Sequence, residues 1–196
     1  YGINLKQPRA VATFTDVMIT TGTTGVAFNV DSLLGSTLIF SGGSISSVDR
    51  AILLPDVDSA SALTLDGVVV ASSASTAVST GALGGKITVQ DSFLTSDQQP
   101  ILVNGVGSSS AAISVERSTL KCTGAFNALR LDSTFAGRLE MSLSTVESAS
   151  SAAIFGNAAV SGAIKLQRTT ITSATANCVQ LASLTSGGTL EISGGV

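Results

Sequence analysis

The side chains of this chain that could do chemistry are mainly its 13 carboxylates, and several of them recur at a nearly constant interval. Many enzymes that cleave polysaccharides use clustered carboxylates, one to protonate the leaving oxygen and another to attack the sugar or activate water. Asp66, Gln90 and Glu116 follow one another at this interval. Asp91 and Arg117 are separated by the same interval, which pairs an acid with a base. We therefore expect surface ion pairs here rather than a catalytic pair.

A second row of charges alternates in sign, because Glu140, Lys165 and Glu191 also follow one another at this interval. Opposite charges on neighbouring strands are ordinary stabilising pairs, worth a few tenths of a kcal/mol each. Asp56 and Asp58 lie together in a predicted corner, where a weak cation site is conceivable but a solvated turn is the preferred interpretation. We predict no catalytic residue and no enzyme activity.

The chain contains no histidine, which excludes a Ser-His-Asp triad and a Cys-His dyad. It also removes the commonest zinc ligand, and no Gly-rich phosphate loop with a lysine is present. The sequence therefore predicts neither a bound metal nor a cofactor. Cys122 and Cys178 fall two repeats apart, about 9–10 Å along the repeat axis. A disulfide requires Cα atoms within about 7 Å, so both cysteines are predicted to be free core or corner residues.

One apolar pattern positions all of these side chains: an apolar residue, a second one two positions later, and a third five positions after that. The pattern occurs at Ala12/Phe14/Ile19, Leu38/Phe40/Ile45, Leu63/Leu65/Val70, Ile87/Val89/Leu94, Ile113/Val115/Leu120, Leu139/Met141/Val146 and Ile164/Leu166/Ile171, and an eighth repeat supplies Leu190/Ile192. The interval between successive starts is about 25 residues and varies by no more than one position, which identifies a structural repeat. Alternation with a period of two is typical of a strand with one buried face. Small or polar residues, such as Gly194 and Gly195 in the last repeat, suit a bend before the next strand.

A third short apolar stretch follows in most repeats. It occurs at 25–28, 51–54, 100–103, 128–131 and 178–181, and residues 2–5 have the same form. Three short strands per repeat at a fixed period predict an all-β fold, a right-handed parallel β-helix of about eight coils, each of about 24–26 residues. Such a rod would be roughly 35–40 Å long. A β-sandwich, the alternative, lacks a constant period.

The repeat also predicts which side chains form the core. Ile113, Leu139 and Ile164 should be buried and stacked on their counterparts in adjacent coils. A further inward-pointing residue is expected four positions before the coil start in several corners: Leu34, Leu83, Phe135 and Val160.

Composition sets limits on the class of protein. Hydrophobic residues are 44% and charged residues 12% of the chain, which argues against disorder. The net charge of −3 argues against a nucleic-acid partner, and no apolar run approaches the roughly 18 residues of a membrane helix. We interpret residues 1–196 as one domain. Because residue 1 is Tyr rather than Met, we expect a segment of a longer solenoid or protein.

Three segments carry a resemblance to a known family: YGINLKQPRAVATFTDVMITTG, GVAFNVDSLLGSTLIFSGGSISS and AAISVERSTLKCTG. Their shared pattern is a G-[VI]-x-[FL] strand, a small-residue corner, an apolar-x-apolar strand and a bend into a Ser/Thr-[IL] strand. In this the chain resembles the β-helical passenger domains of Gram-negative autotransporters, pertactin-like adhesins in particular. The resemblance implies export to the cell surface or secretion, a role in virulence, and adhesion to a partner.

The expected function is therefore a surface or secreted structural and adhesive scaffold. Its partners would be a protein or glycan on a host or neighbouring cell, and end-to-end self-association is a further expectation. Three alternatives remain: a phage or viral tail-fibre segment that binds glycan, a self-assembling filament subunit, and a polysaccharide lyase or hydrolase.

Overall fold

The computed structural model describes residues 2–6, 8, 10–22, 24–31 and 33–194, and these residues form three parallel β-sheets without any helix. Sheet A contains β1 (Ile3–Leu5), β4 (Phe28–Val30), β7 (Ile52–Leu54), β10 (Val78–Thr80), β13 (Ile101–Val103), β16 (Leu129–Leu131), β19 (Ile154–Val160) and β22 (Val179–Leu184). Sheet B contains β2 (Val11–Thr15), β5 (Thr37–Ser41), β8 (Ala62–Asp66), β11 (Lys86–Gln90), β14 (Ala112–Glu116), β17 (Arg138–Ser142), β20 (Ala163–Gln167) and β23 (Thr189–Ser193). Sheet C contains β3 (Met18–Thr21), β6 (Ser44–Ser47), β9 (Val69–Ser72), β12 (Phe93–Ser96), β15 (Thr119–Cys122), β18 (Thr145–Ser148) and β21 (Thr170–Ser173).

Each strand pairs in parallel with its equivalents in the preceding and following coils, so the chain winds from sheet B to sheet C to sheet A and back. This is the architecture of a parallel β-solenoid, and it confirms the all-β fold predicted from the repeat. The solenoid has about seven turns, because sheets A and B contain 8 strands each and sheet C contains 7. The predicted eight coils included the incomplete last one. The hand of the winding stays a prediction. No helix in the described ranges is long and apolar enough to cross a membrane.

The core is a set of apolar columns inside the three sheets. Ile113, Leu139 and Ile164 are paired in register and are 1%, 0% and 0% exposed, as predicted. At the start of the rod the aromatic rings of Phe14 and Phe40 stack with their centroids 4.9 Å apart, and the ring of Phe28 meets that of Phe40 edge-on. Burial of one face of every strand supplies the main driving force for the fold.

The corner between sheets A and B contains a further buried column, and the prediction for Leu34 is wrong. Leu83, Phe135 and Val160 are buried as expected, but Leu34 is 54% exposed and its neighbour Leu33 is fully buried. The column is a ladder of single bridges through Leu33, Val57, Leu83, Gly107, Phe135 and Val160. Because the corners differ in length, the bridge partner lies at a different distance before the next strand in different coils. Counting back from the strand therefore gives the wrong residue in the longer corners.

The bend between sheets B and C uses a left-handed backbone residue in each coil, which turns the chain within two residues. The residues with positive φ at this position are Asp16, Gly42, Gly67, Asp91, Arg117, Leu143, Arg168 and Gly194. Gly195, which the repeat also placed in this bend, lies outside the described residues. Asp and Gly tolerate positive φ, whereas Leu143 and the two arginines adopt it at a cost that the surrounding ladder must offset.

A column of buried hydroxyl groups follows this bend and joins successive coils. The Ser118 hydroxyl accepts the Ser92 N–H at 3.1 Å and donates to the Glu116 carbonyl at 2.7 Å. The Ser144 hydroxyl in turn accepts the Ser118 N–H at 3.2 Å. Each hydroxyl therefore satisfies a buried backbone donor of the preceding coil, which the sheets leave without a carbonyl partner at the bend.

Replacing Ser118 with Ala should lower the free energy of unfolding by about 1–3 kcal/mol, because the Ser92 N–H would be buried without an acceptor. Urea unfolding monitored by circular dichroism measures the change. Ser109→Ala, an exposed loop serine, is the control and should change stability by less than about 0.5 kcal/mol. Equal stability of the Ser118 and Ser109 variants would contradict the structural role of the hydroxyl column.

Both cysteines are free, as their spacing predicts. Cys122 is buried at the end of β15, and burial raises the pKa of its thiol above the usual range. Cys178 precedes β22 and is exposed, so its place is a corner rather than the core.

Candidate binding face on sheet B

The outward side of sheet B carries aligned rows of polar and charged side chains. Each of its strands has five residues, and alternation directs the first, third and fifth outward. Parallel register then aligns equal positions of successive strands into rows. Asp66, Gln90 and Glu116 form one such row, as their spacing predicts. A second row contains Glu140 and Lys165.

Three shallow cavities lie on this side between β11 and β23. The first, of about 390 Å³, is lined by Lys86, Arg138, Glu140 and residues 109–114 of the preceding loop and β14. The second, of about 290 Å³, is lined by Ser114, Glu116, Glu140, Met141, Ser142, Lys165 and Gln167. The third, of about 400 Å³, is lined by Ser142, Leu143, Gln167, Arg168, Ser193 and Gly194.

The three cavities are contiguous. The first and second share Ser114 and Glu140, and the second and third share Ser142 and Gln167. Together they run diagonally across sheet B, from the corner with sheet A to the bend with sheet C. We call these lining residues the sheet-B track. The sequence rows predicted its acids and Lys165, but the diagonal connection depends on side-chain shape, which spacing does not reveal.

Ion pairs flank the track. The Arg117 guanidinium donates to both carboxylate oxygens of Asp91 at 2.7 and 2.8 Å, and it also contacts the carboxylate of Glu116. The Arg117 guanidinium holds the pKa of Asp91 below its usual range, and the same contact raises the pKa of Arg117. The predicted pairing of these two residues is therefore confirmed, in a bidentate geometry that gives one of the stronger kinds of charge-assisted hydrogen bond.

The second row is also largely paired. The Lys165 ammonium lies 3.6 Å from the Glu191 carboxylate. The Glu140 carboxylate lies 3.4 Å from the Arg138 guanidinium on the same strand, a contact that the repeat did not predict. These groups are exposed, so each pair contributes less than about 1 kcal/mol to stability. Their effect is to hold donors and acceptors side by side.

Two cations of the track have no such partner. No carboxylate of the described ranges lies within 4.0 Å of the Lys86 ammonium or the Arg168 guanidinium, which stand at opposite ends of the track. Arg168 follows β20 at the bend, where its positive φ takes it out of the strand alternation. Outward position alone marks Lys86, and Arg168 occupies the same repeat position as Asp91 and Arg117.

The track brings two carboxylates close to several cations. Glu116 and Glu140 line the second cavity together, which places two carboxylates on one surface. A glycosidase needs one such acid with a raised pKa, in an apolar or acidic environment. Here Glu116 contacts Arg117 and Glu140 contacts Arg138, so each carboxylate lies beside a cation rather than in an apolar or acidic environment. The two carboxylates therefore present hydrogen-bond acceptors beside cationic donors on one surface.

The acidic corner of Asp56 and Asp58 holds neighbouring coils together. The Asp58 carboxylate accepts the Gly35 N–H at 3.0 Å, the Ala60 N–H at 3.1 Å and the Ser61 hydroxyl. Asp56 accepts the Ala82 N–H at 2.9 Å. The preferred interpretation, a solvated turn, is incomplete, because both carboxylates cap backbone N–H groups of adjacent corners. The donors to Asp58 use both of its carboxylate oxygens, whereas Asp56 accepts a hydrogen bond through one oxygen.

The Asp58 cap gives the fold a pH dependence of known direction. The Ser61 hydroxyl and the Gly35 N–H hold the pKa of Asp58 below its ordinary value of 3.8. A lowered pKa in the folded state means that the stabilisation is present above the unfolded pKa and is lost as pH falls through the folded one. We expect Asp58→Asn to melt at a lower temperature than the parent at neutral pH, and the two melting temperatures to converge as the pH falls below that value.

Thermal melts across the acidic range measure this convergence, with Asp49→Asn as the control. A constant difference in melting temperature between Asp58→Asn and the parent at every pH would contradict the capping role of the carboxylate.

The outer side of sheet C is chemically different. Its charged residues are Lys121 and Glu147, which pair at 3.1 Å on adjacent strands. Exposed apolar side chains, Met18 at 81%, Val69 at 45% and Phe93 at 39%, share its first outward row with serine and threonine. Sheet B therefore carries more charged side chains than sheet C.

Within the described ranges, no three His, Cys, Asp or Glu side chains come together in a way that could hold a metal ion. Comparison with protein-family models, curated proteins and solved structures finds no match for this chain. The fold and the sheet-B track thus define a class, a parallel β-solenoid with a continuous polar, cavity-lined face on sheet B. Two further cavities, each of about 410 Å³, lie on the sheet C side, one lined by Thr21, Ser46 and Thr95 and the other by Lys121 and Glu147.

Proposed function

We propose that this chain is a non-catalytic β-solenoid scaffold that binds an extended partner along the sheet-B track. The single observation that carries the proposal is the continuity of the three cavities, which share Ser114, Glu140, Ser142 and Gln167 across the strands β14, β17 and β20. A rigid rod with a continuous polar surface suits a long ligand that makes many weak contacts. A compact substrate would instead need one enclosed pocket.

The cell surface of a Gram-negative bacterium, or the extracellular medium, is the location that we propose, with adhesion as the task. Support comes from the resemblance of the repeats to autotransporter passenger domains. The partner would be a molecule on a host or neighbouring cell. Labelling of intact, unpermeabilised source cells by an antibody against the chain would support this location, and labelling only after permeabilisation would contradict it.

Adhesion is testable with beads that carry the purified chain. We expect such beads to be retained on epithelial monolayers or on Gram-negative cells, and retention to fall to the level of uncoated beads in a quadruple variant, Lys86→Ala/Glu140→Ala/Lys165→Ala/Arg168→Ala. The matched control is Lys6→Ala/Arg50→Ala/Lys121→Ala/Glu147→Ala, which also removes three bases and one acid and whose positions lie outside the track. Equal retention of both variants would show that the track is not the binding surface.

Because binding is spread over several coils, single substitutions should have small effects. Glu116→Ala or Arg117→Ala should each weaken bead retention or partner affinity by no more than about threefold, the change expected for one exposed ion-pair group. Complete loss of binding in either single variant would indicate one localised site instead of an extended face.

A further inference from the structure

We infer that the partner bound by the sheet-B track is an acidic oligosaccharide, a chain of sugars that carries carboxylate groups. This inference rests on the proposed function and names the chemistry of the partner.

Charge is the first argument. The track is lined by the bases Lys86, Arg138, Lys165 and Arg168 and by the acids Glu116 and Glu140, four against two. Counting Glu191, whose carboxylate lies 3.6 Å from the Lys165 ammonium, leaves four bases against three acids, a local positive excess on a chain whose net charge is −3. Such a surface attracts an anionic ligand and orients it before contact.

The ends of the track supply the second argument. Lys86 and Arg168 are exposed and, among the described residues, without an acidic partner. An unpaired ammonium binds a carboxylate as a point charge, and a guanidinium binds one through two parallel N–H donors. The two residues are separated by three coils, roughly 14 Å along the axis, and by about 16 Å across the strands. A ligand that reaches both must be an oligomer of several units.

The centre of the track supplies the third argument. Between the two cations stand Ser114, Ser142 and Gln167, together with Glu140 and Lys165, which are register partners on adjacent strands. A sugar hydroxyl donates one hydrogen bond and accepts others, so a single hydroxyl satisfies Glu140 as acceptor and Lys165 as donor.

Two other classes of ligand fit less well. The residues that line the three cavities include no aromatic ring, whereas single-stranded nucleic acids bind through stacking on aromatic side chains. A protein partner needs apolar or aromatic anchors, and Leu143, at 50% exposure, is the one large apolar side chain exposed along the track.

The test is titration calorimetry of the chain with hexasaccharides of matched length. The acidic probe is hexagalacturonate, the neutral probe is cellohexaose, and the basic probe is a chitosan hexamer. We expect hexagalacturonate to bind at least tenfold more tightly than cellohexaose, and added salt to reduce this preference by screening. Equal binding of all three, a preference for the basic probe, or binding of none overturns the inference.

Variants locate the site. Lys86→Ala/Arg168→Ala should weaken hexagalacturonate binding at least tenfold, and Arg50→Ala/Lys121→Ala, which removes the same charge elsewhere, should change it less than twofold. An oligothymidylate of equal charge tests whether charge alone suffices. If it binds as tightly as hexagalacturonate, or if both double variants lose binding equally, the inference fails. If beads still adhere through the track while no saccharide binds, the inference fails and the proposed function stands.

Discussion

Leu139→Ala is expected to lower the free energy of unfolding by about 2–4 kcal/mol, because it removes apolar contacts and leaves a cavity in the middle of the rod. Leu139 is 0% exposed and is paired between Ile113 and Ile164 in the adjacent coils. Both neighbours are held in their strands, so the coils have little freedom to collapse into the space. Chemical unfolding with urea gives the difference directly.

Glu140→Ala is the matched control, one residue along the same strand and directed outward. Its effect on stability should stay within about 0.5 kcal/mol, as is usual for surface positions. Equal stability of the two variants would contradict the assignment of Leu139 to the inward side of sheet B.

Gly43→Ala should be at least as damaging, with a loss of about 3 kcal/mol or more or failure to fold. Gly43 has φ of +78°, and a Cβ built on it would lie 2.1 Å from the Val17 carbonyl oxygen and 2.7 Å from the Val17 nitrogen. These are backbone atoms of the adjacent coil, so relief would require the two coils to separate. Expression yield and thermal melting report both outcomes.

Two other glycines allow the effect of the steric clash to be distinguished from the effect of a positive φ. Gly35 has φ of +62° but nothing within 4 Å of the added Cβ, so Gly35→Ala should cost about 1–2 kcal/mol from strain alone. Gly22 has open space and no positive φ, and Gly22→Ala should be close to neutral. A Gly43 variant no less stable than the Gly35 variant would mean that the coils are not in close contact at this bend.

Sequence reasoning recovered the sheets well because the inward positions of sheets B and C repeat with nearly constant spacing. Apolar residues at Leu63, Ile87 and Ile113 identify the strands and their register without any knowledge of the loops. The same reasoning omitted β10, where Ser79 and Thr80 are buried, and β19, where the buried Gly156 takes the place of a larger apolar residue. Polar residues inside a solenoid interrupt the pattern on which the prediction depends.

Corners were harder to predict than strands. The exchange of Leu34 for Leu33 shows the reason, since a corner residue is fixed by its bridge to the next coil. Gly107 makes the same point: a Cβ there would lie 2.3 Å from the Phe135 ring, so the corner of one coil is shaped by the side chain of another. Such contacts depend on residues a full coil away in the sequence and leave no local signal.

The rows of charged residues at the candidate site could be predicted from the sequence, but the shape of its surface could not. The spacing predicted that Glu140 lies beside Lys165 and Asp91 beside Arg117, and the structure contains both pairs of neighbours. The connection of three cavities depends on loop residues 109–111 and on Arg168, whose direction follows from the bend. The sequence therefore indicated a charged face but not a continuous one.

The most direct test of the central claim, binding along sheet B without catalysis, is mass spectrometry of an oligosaccharide library after prolonged incubation with the chain. The account predicts that every saccharide, including those recovered in complex with the chain, keeps its original mass. Shorter products or unsaturated ends that appear with the parent chain and vanish with Asp91→Asn would contradict the scaffold function and establish an enzyme in its place.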